Sequence, residues 1–294
     1  MKDRTIVSGL YFFGGPVKKS NPAIVVASAL AIAAFSFLVF RTHHAITAKT
    51  KEPSLHTEEI EVAEAPAGSP ALNVLFVGNS YIFVNDLPGV VANIAATDSA
   101  NPVKLRAGRF VGPGSPLAER WQARAQADPL AAGKWDYVVL QESPIYDVTP
   151  LYIPISVQAT MNWDKAIKQN GAKTLIFGPW ARKEGSDDYR AKDLVRFKNP
   201  DEMQAEIDRV RKGIAARVAA TFVPVGDYWM ACRSQPGAPE LYNADATHPS
   251  AAGTYLTALV FYRQLTGHDL KHVTYIPPRL SKKDAAFILR CASY

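Results

Sequence analysis

The sequence has 294 residues, of which 48% are hydrophobic and 20% are charged, a composition typical of a globular protein with a sizeable core. The formal charge of +6 comes from residues 1–51, which carry seven basic side chains and one acidic side chain. The rest of the chain is neutral overall, so it offers no electrostatic basis for binding nucleic acid, and none is expected as a partner.

An uncharged apolar run covers residues 23–40, preceded by Lys18 and Lys19 and followed by Arg41. A helix of this length spans roughly 27 Å, close to the thickness of a bilayer core. The run predicts a transmembrane signal anchor with residues 1–22 in the cytoplasm, because basic residues flank its amino end. A cleaved signal peptide is the alternative, although its apolar region is usually shorter, about 7–15 residues. The part of the chain after this run is expected on the periplasmic or extracellular side of the inner membrane, or secreted after cleavage.

Residues 41–70 are rich in Thr, Glu, Ala and Pro and contain few large apolar groups, which predicts a flexible linker. A single domain is predicted over residues 71–294. The only cysteines, Cys232 and Cys291, either form one disulfide in an oxidising compartment or remain unpaired in the core. The sequence has no CxxC motif and no Cys/His cluster, so a structural zinc site is not expected.

Short β-type runs alternate with helical stretches along the predicted domain. The predicted strands cover 73–77, 103–107, 135–141, 174–178 and 221–226. The predicted helices cover 87–96, a segment that begins near 117, 155–170, 203–218 and 250–266. Gly267 is predicted as the C-cap of the last helix. This alternation predicts βαβ crossovers and a buried parallel sheet.

Reactive groups in such sheets gather at the carboxyl ends of the strands. Ser80, the loop 108–115 and Gln141 each follow directly on a predicted strand. We therefore expect these three segments to lie together at one edge of the sheet.

The motif Gly78–Tyr81, with the sequence GNSY, ends the first predicted strand just before a helix. A serine at this point projects its hydroxyl from the sheet edge, near the positive end of the next helix. Ser80 is therefore a candidate nucleophile. Gly-Asn-Ser is also a common turn composition, and the motif taken alone favours a plain turn.

Asp245 and His248 are candidates for the activating base that a serine nucleophile needs. An imidazole needs a carboxylate to hold its tautomer, and an Asp three residues before a His can fold back to reach Nδ1. This arrangement leaves Nε2 for Ser80. The alternative interpretation is a surface loop whose Asp caps a turn. His268 and His272 lie in a polar segment and are predicted to be solvated.

Three groups are candidates for an oxyanion hole, which stabilises a tetrahedral intermediate with N–H donors. They are the Ser80 backbone N–H, an N–H of the loop Gly112–Ser115 and the side-chain amide of Gln141. Glycine in the loop permits close backbone approach. A polar strand end is the alternative interpretation of Gln141. Glu142 is predicted to be solvated rather than to support the site.

With these motifs in place, the sequence resembles the SGNH/GDSL hydrolase superfamily from about Asn73 to Gly267. The first matching block reads VLFVGNSYIFVNDLP, with Gly-Asn-Ser where many members have Gly-Asp-Ser. The second block reads GPGSPLAERW. The last and most specific block reads LYNADATHPSAAGTYLTALVFYRQLTG.

The resemblance implies a role for each candidate residue. Ser80 takes the role of nucleophile and oxyanion donor, Asp245 and His248 those of acid and base, and Gly114 that of backbone donor. The superfamily's usual third block has an Asn in a Gly-x-Asn-Asp setting. Here the strand end reads Leu-Gln-Glu, as in one branch of the superfamily, which implies that Gln141 replaces the Asn.

The resemblance also implies a three-layer α/β/α domain with a five-stranded parallel sheet of flavodoxin-like order. The leading hypothesis is a serine esterase that removes an acetyl or other small acyl group, expected on a glycan, without metal or organic cofactor. A lipid ester is a further possible substrate. Two other hypotheses are an acyltransferase with a sugar hydroxyl as acceptor and a non-catalytic glycan-binding domain.

Overall fold

A computed structural model of the protein describes residues 63–190 and 197–293, with Asp188 described by its backbone alone. Its centre is a sheet whose middle strands consist largely of buried apolar residues. The strands are β1 Ala71–Gly78, β2 Lys104–Val111, β3 Tyr137–Leu140, β4 Lys173–Phe177 and β5 Thr221–Val223.

Every pairing between these strands is parallel, and the strand order is β2-β1-β3-β4-β5. This is the flavodoxin-like order that the resemblance implies, and the five-stranded parallel sheet is confirmed. Parallel strands need helical crossovers, and the sequence supplies one between each pair of strands. The carboxyl ends of β1 and β3 are neighbours, with Val77 opposite Leu140.

Helices flank the sheet on both faces. They are α1 Ser80–Phe83, α2 Leu87–Thr97, α3 Leu117–Ala123, α4 Pro144–Val148, α5 Ile153–Gln169, α6 Pro200–Arg217, α7 Val225–Arg233, α8 Ala251–Thr266 and α9 Lys282–Ala292. The C-cap predicted for the last long helix is confirmed, because Gly267 follows α8 with a φ of 74°.

The alternating side chains of β1 divide the core between the two faces of the sheet. Val74 and Phe76 pack in one cluster with buried residues of α2, α7, α8 and α9. Leu75 and Val77 pack in a second cluster with residues of α3, α5 and α6. The predicted three-layer α/β/α arrangement is therefore confirmed, and burial of both faces explains the continuous apolar runs of the strands.

Two predictions at the carboxyl-terminal half were incomplete. The fifth strand was predicted over 221–226 but ends at Val223, because Pro224 has no N–H to donate and a helix begins at Val225. Of the two cysteine alternatives, the disulfide is the one present: Cys232 of α7 is bonded to Cys291 of α9.

The predicted cytoplasmic segment 1–22, the predicted transmembrane segment 23–40 and most of the predicted linker 41–70 lie outside the described residues. Among the helices of the part that is described, none combines the length and apolar composition needed to cross a bilayer.

The last part of the predicted linker is described, and it contacts the domain. The Ala63 N–H donates a hydrogen bond of 2.8 Å to Asn93 Oδ1 on α2. The Pro70 carbonyl accepts one of 2.8 Å from the Lys104 N–H at the start of β2. The chain is thus held against the domain before β1 begins, while the boundary at residue 70 stays a prediction.

Candidate active site

Ser80 lies at the carboxyl end of β1, as the first residue of the short helix α1. The preceding Gly78 packs directly against β3: a Cβ at this position would meet Gln141 Oε1 at 2.5 Å and Gln141 O at 2.8 Å. Only glycine fits here, because such distances are too short for any side chain. The glycine therefore lets the turn Gly78–Tyr81, named the nucleophile turn after the predicted role of Ser80, approach the end of β3 closely.

Asn79 holds this turn in place and was missed as a site residue by the sequence analysis. Its Oδ1 accepts a hydrogen bond of 3.2 Å from the Tyr81 N–H, which caps α1. Its Nδ2 donates one of 3.2 Å to the carbonyl of Ser115 in the glycine loop. The position before a serine that starts a helix is an N-cap position, which is the sequence signal for this role.

Asp245 and His248 lie in a tight turn before α8. Asp245 Oδ1 accepts hydrogen bonds of 2.9 Å from the N–H groups of both Thr247 and His248. Ala246 has a φ of 60°, a left-handed conformation that is uncommon for a residue with a Cβ. The Asn243 N–H closes the turn by donating to the His248 carbonyl at 2.8 Å.

The structure brings Ser80, His248 and Asp245 together. His248 Nε2 lies 2.7 Å from Ser80 Oγ, and His248 Nδ1 lies 2.6 Å from Asp245 Oδ2. The two contacts use the two ring nitrogens separately, which is the geometry that the Asp-x-x-His spacing predicts. Such a chain can hold one imidazole tautomer and take a proton from the serine hydroxyl.

The hydrogen bonds to Asp245 also set its charge. Partial burial of the carboxyl raises its pKa, but the hydrogen bonds from the His248 ring and from two backbone N–H groups outweigh this effect, and the pKa is lowered. Asp245 is therefore ionised at neutral pH and can stabilise a positively charged His248.

The loop that follows β4 supports the Asp245–His248 turn and was not recognised from the sequence. Trp180 Nε1 donates a hydrogen bond of 3.1 Å to the Thr247 carbonyl. The Lys183 N–H donates one of 3.0 Å to the Ala246 carbonyl. The sequence signal for a role of Trp180 in the site is its position just after β4, since Ser80 likewise lies just after β1.

A stack of aromatic rings links this loop to the nucleophile turn. Tyr81 stacks on Trp180 with centroids 4.5 Å apart, and Trp180 stacks on Trp229 with centroids 3.9 Å apart. Arg182 is buried and donates a hydrogen bond to the Tyr81 hydroxyl. Arg182 thus packs beside the ring of Tyr81, the residue that follows Ser80.

Two of the predicted oxyanion donors have available N–H groups. No hydrogen bond within the described part of the chain is donated by the backbone N–H of Ser80 or of Gly114. Gly114 is exposed with a φ of 62°, at the tip of the loop between β2 and α3. The Gly112 N–H anchors the start of this loop to the Gly78 carbonyl at 3.2 Å. Their role as oxyanion donors stays a prediction.

Gln141 lies close to the nucleophile turn, but its geometry differs from the predicted oxyanion donor. Its side chain is fully buried, with Oε1 accepting the Asn79 N–H at 2.9 Å and Nε2 donating to the Glu142 carbonyl at 2.7 Å. An amide without solvent exposure cannot face a substrate. The Gln141 amide can pack under the Ser80 segment because Gly78 has no Cβ to occupy that space.

The prediction that Glu142 is solvated is wrong, because its side chain is fully buried. The carboxylate accepts the Leu117 N–H at 3.2 Å and the Ser143 N–H at 2.8 Å, at the starts of α3 and α4. Burial raises the pKa of this carboxyl to about 7, with Arg211 opposing the rise and Asp147 adding to it.

Two other features lie outside this constellation. No group of three or more His, Cys, Asp or Glu side chains suited to a metal ion occurs within residues 63–190 and 197–293. A cleft of about 360 Å³ is lined in part by Arg106, Lys134 and Trp135, towards the amino ends of β2 and β3. It contains none of the predicted site residues.

The fold is similar to that of several solved structures. A protein from Slackia heliotrinireducens, provisionally classed as an SGNH hydrolase, is 26% identical with a TM-score of 0.55, covering 66% of this chain and 98% of that chain. A DUF4886 family protein from Bacteroides uniformis is 17% identical with a TM-score of 0.60, covering 76% of this chain and 93% of that chain. A variant of Axe2, an acetyl xylan esterase from Geobacillus stearothermophilus, is 15% identical with a TM-score of 0.50, covering 67% and 96%.

A scan against protein-family models and a search of curated proteins each found no match. The structure from Slackia heliotrinireducens nevertheless carries the SGNH hydrolase description at 26% identity, so the resemblance drawn from the sequence is confirmed. That neighbour supports a serine hydrolase, whereas the more distant structures show the fold alone.

Proposed function

We propose that this chain is an exported, membrane-tethered serine esterase that removes a small acyl group, in the first place acetyl, from a glycan. The observation that carries the proposal is the contact chain from Ser80 Oγ to His248 Nε2 at 2.7 Å and from His248 Nδ1 to Asp245 Oδ2 at 2.6 Å. In this proposal Ser80 is the nucleophile, His248 the base and Asp245 the residue that orients the base.

The first half of the proposed reaction acylates the serine. His248 Nε2 takes the hydroxyl proton while Ser80 Oγ forms a bond to the ester carbonyl carbon. The carbonyl oxygen becomes an oxyanion within reach of the N–H groups of Ser80 and Gly114. The bond to the leaving oxygen then breaks, and the imidazolium returns its proton to the departing alcohol.

The second half repeats the chemistry with water. His248 removes a proton from a water molecule, which attacks the acyl carbon and releases the carboxylic acid and the free Ser80 hydroxyl. The side chains of His248 and Asp245 are 30% and 48% exposed, so bulk water reaches the base directly. This exposure favours hydrolysis over acyl transfer to a sugar hydroxyl, which requires exclusion of water.

An acetyl group on a large carrier fits the open form of this site. A partly exposed base admits an ester that projects from the surface of a polymer, whereas a long acyl chain needs an enclosed apolar tunnel. Acetyl xylan esterase is the described activity of one protein with a similar fold, and we extend a related activity to this chain as a proposal.

Export and tethering are supported by two independent features. The apolar run 23–40 has the length of a membrane span and basic residues on its amino side. The disulfide between Cys232 and Cys291 is of a kind that persists in oxidising compartments. Proteolysis of intact and of disrupted cells tests this part: residues 63–294 should be degraded only when the protease reaches the outer side of the cytoplasmic membrane.

A panel of esters tests the proposed activity with the full-length chain. The panel contains p-nitrophenyl acetate, p-nitrophenyl esters of longer acids, acetylated xylo-oligosaccharides and a lysophospholipid, with Ser80→Ala as the matched control. We expect turnover of the acetyl esters by the wild type and none by the variant. A preference for the lysophospholipid would show that the substrate is a lipid ester and not a glycan ester. Turnover by Ser80→Ala at the wild-type rate would refute Ser80 as the nucleophile.

A further inference from the structure

The glycine loop carries the predicted donor Gly114, and Arg120 holds it from α3 through a hydrogen bond of 3.1 Å to Ser115 Oγ. Three further hydrogen bonds link the loop and the start of α3 to other segments. The Gly112 N–H binds the carbonyl of Gly78 at 3.2 Å. The carbonyl of Ser115 accepts Asn79 Nδ2 at 3.2 Å. The third is donated by the Leu117 N–H at the start of α3 to the Glu142 carboxylate at 3.2 Å.

This third hydrogen bond is unusual because the helix lacks a cap of its own. The N-cap residue of α3 is Pro116, whose side chain makes no capping hydrogen bond. The first N–H groups of a helix have no partner within the helix and need an acceptor. Glu142, which lies just after β3, supplies that acceptor. The cap of α3 therefore comes from a residue outside the helix.

The same strand end also holds the nucleophile turn. Gln141 Oε1 accepts the Asn79 N–H at 2.9 Å, one residue before Ser80. Gln141 Nε2 donates to the backbone carbonyl of Glu142 at 2.7 Å, which fixes the Gln141 side chain against the backbone of the next residue. The two residues that directly follow β3 thus hold the two segments whose N–H groups are the predicted oxyanion donors.

We propose that Glu142 is a positioning residue, whose carboxylate holds the start of α3 and thereby the Gly114 N–H in register with the Ser80 N–H. The inference rests on the proposed esterase function. It follows from the sensitivity of an oxyanion hole to distance, since a displacement of about 1 Å can cost about 10²-fold in rate. Glu142 does not touch the substrate and acts through the backbone of the glycine loop.

The surroundings of Glu142 are consistent with a fixed position. Arg211 and Asp147 form a fully buried ion pair whose charges act on this carboxylate. Burial, together with the negative charge of Glu142, raises the pKa of the Tyr146 hydroxyl on α4 to about 12. The carboxylate is fully buried and accepts two backbone N–H groups, which leaves it little freedom to move.

The test compares three substitutions of Glu142 with one control in the full-length chain. Glu142→Gln keeps an oxygen acceptor for the Leu117 N–H, Glu142→Asp withdraws the carboxylate by one methylene, and Glu142→Ala removes it. The control is Asp164→Ala, because Asp164 is also a buried carboxylate but accepts the Thr174 hydroxyl at 2.7 Å near the amino end of β4.

With p-nitrophenyl acetate, we expect Glu142→Ala to lower kcat by about 10- to 100-fold with KM within about twofold of wild type. Glu142→Gln should restore kcat to within about threefold, and Asp164→Ala should lower the melting temperature without lowering kcat. Phenylboronic acid, which forms a tetrahedral adduct with an active serine, should bind more weakly to Glu142→Ala by a similar factor.

Three results would overturn the inference. One is a loss of kcat in Glu142→Ala no larger than in Asp164→Ala, and another is a Glu142→Gln variant as slow as Glu142→Ala. If Glu142→Ala does not fold, Glu142→Asp decides, with a kcat loss of about tenfold expected and a wild-type kcat counting against the proposal. A wild type without any esterase activity would instead refute the proposed function, which is a distinguishable outcome.

Discussion

The Asp245–His248 turn and the Gln141–Glu142 strand end both contact the nucleophile turn, but their carboxylates have opposite environments. The Asp245 side chain is 48% exposed, and hydrogen bonds lower the pKa of its carboxyl. The Glu142 side chain is fully buried, and burial raises the pKa of its carboxyl to about 7. The first environment keeps a charge beside the base, whereas the second holds backbone N–H groups in a fixed frame.

This contrast separates two tasks within one site. A carboxylate that stabilises an imidazolium must remain ionised during the reaction, and solvent access with several N–H donors secures this for Asp245. A carboxylate that positions a loop needs an accepting oxygen more than a charge. Pairs of carboxyl groups whose pKa values are pushed apart in this way commonly divide the roles in an active site.

The largest expected effect falls on the exposed turn. His248→Ala should lower kcat/KM for p-nitrophenyl acetate by about 10⁶-fold, because the nucleophile and its base act as a unit. His272→Ala is the matched control, since the side chain of His272 is exposed and its backbone carbonyl accepts the Ser99 N–H. Loss of less than about 10²-fold in His248→Ala would show that another group activates Ser80.

The next effect is that of the orienting carboxylate. Asp245→Asn should lower kcat by about 10⁴-fold, because an amide stabilises the wrong imidazole tautomer. Asp269→Asn provides the control, because Asp269 is an exposed carboxylate that pairs with Lys271. If both variants retain the wild-type kcat, the contact of 2.6 Å between Asp245 and His248 has no catalytic role.

Because Glu142 is buried, the stability of the folded protein should depend on pH. The raised pKa means that the folded state binds the Glu142 proton more tightly than the unfolded state, whose pKa is near 4.5. The resulting stability is fully present below pH 4.5 and is lost as the pH rises through about 7. A rise of this size corresponds to about 3 kcal/mol.

Chemical unfolding of the wild type and of Glu142→Gln at pH 5 and pH 8.5 measures this effect. The free energy of unfolding of the wild type should fall relative to the variant by up to about 3 kcal/mol over this range. Parallel curves for the two proteins would mean that Glu142 does not change its protonation between these pH values.

The smallest expected effect tests the support of the exposed turn. Trp180→Phe keeps an aromatic ring between Tyr81 and Trp229 but removes the Nε1 donor to the Thr247 carbonyl. One hydrogen bond is worth about 0.5–1.5 kcal/mol, so kcat should fall by about two- to tenfold. Trp135→Phe also removes an Nε1 hydrogen bond, of 2.9 Å to the Pro129 carbonyl, but lies outside the site and should leave kcat unchanged. An equal loss of kcat in Trp135→Phe would show that Trp180 has no specific role at the Asp245–His248 turn.

The sequence was sufficient for the features that depend on local pattern. The five strands follow from short β-type runs bounded by turns, and their carboxyl-end positions correctly brought Ser80 and Gln141 into one neighbourhood. The spacing of Asp245 and His248 also predicted the contact to Nδ1, because an Asp three residues before a His closes a single turn.

The missed features depend on side-chain packing between segments far apart in the chain. Glu142 comes just after a strand, where a polar residue is usually solvated. Its burial is explained by the start of α3, which has no side-chain cap of its own and uses the Glu142 carboxylate as acceptor. Gln141 turns inward because Gly78, 63 residues earlier, leaves space for its amide. Trp180 supports the Asp245–His248 turn through a hydrogen bond across 67 residues, which no local pattern encodes.

The most direct test of the central claim is covalent labelling of the nucleophile. A fluorophosphonate should react with the full-length chain by forming one bond from Ser80 Oγ to phosphorus, with loss of fluoride and transfer of the serine proton to His248. Peptide mass mapping should find the adduct on Ser80 in the wild type and little or none in His248→Ala. An adduct on a different residue, or an active enzyme that remains unlabelled, would contradict the assignment of Ser80 and His248.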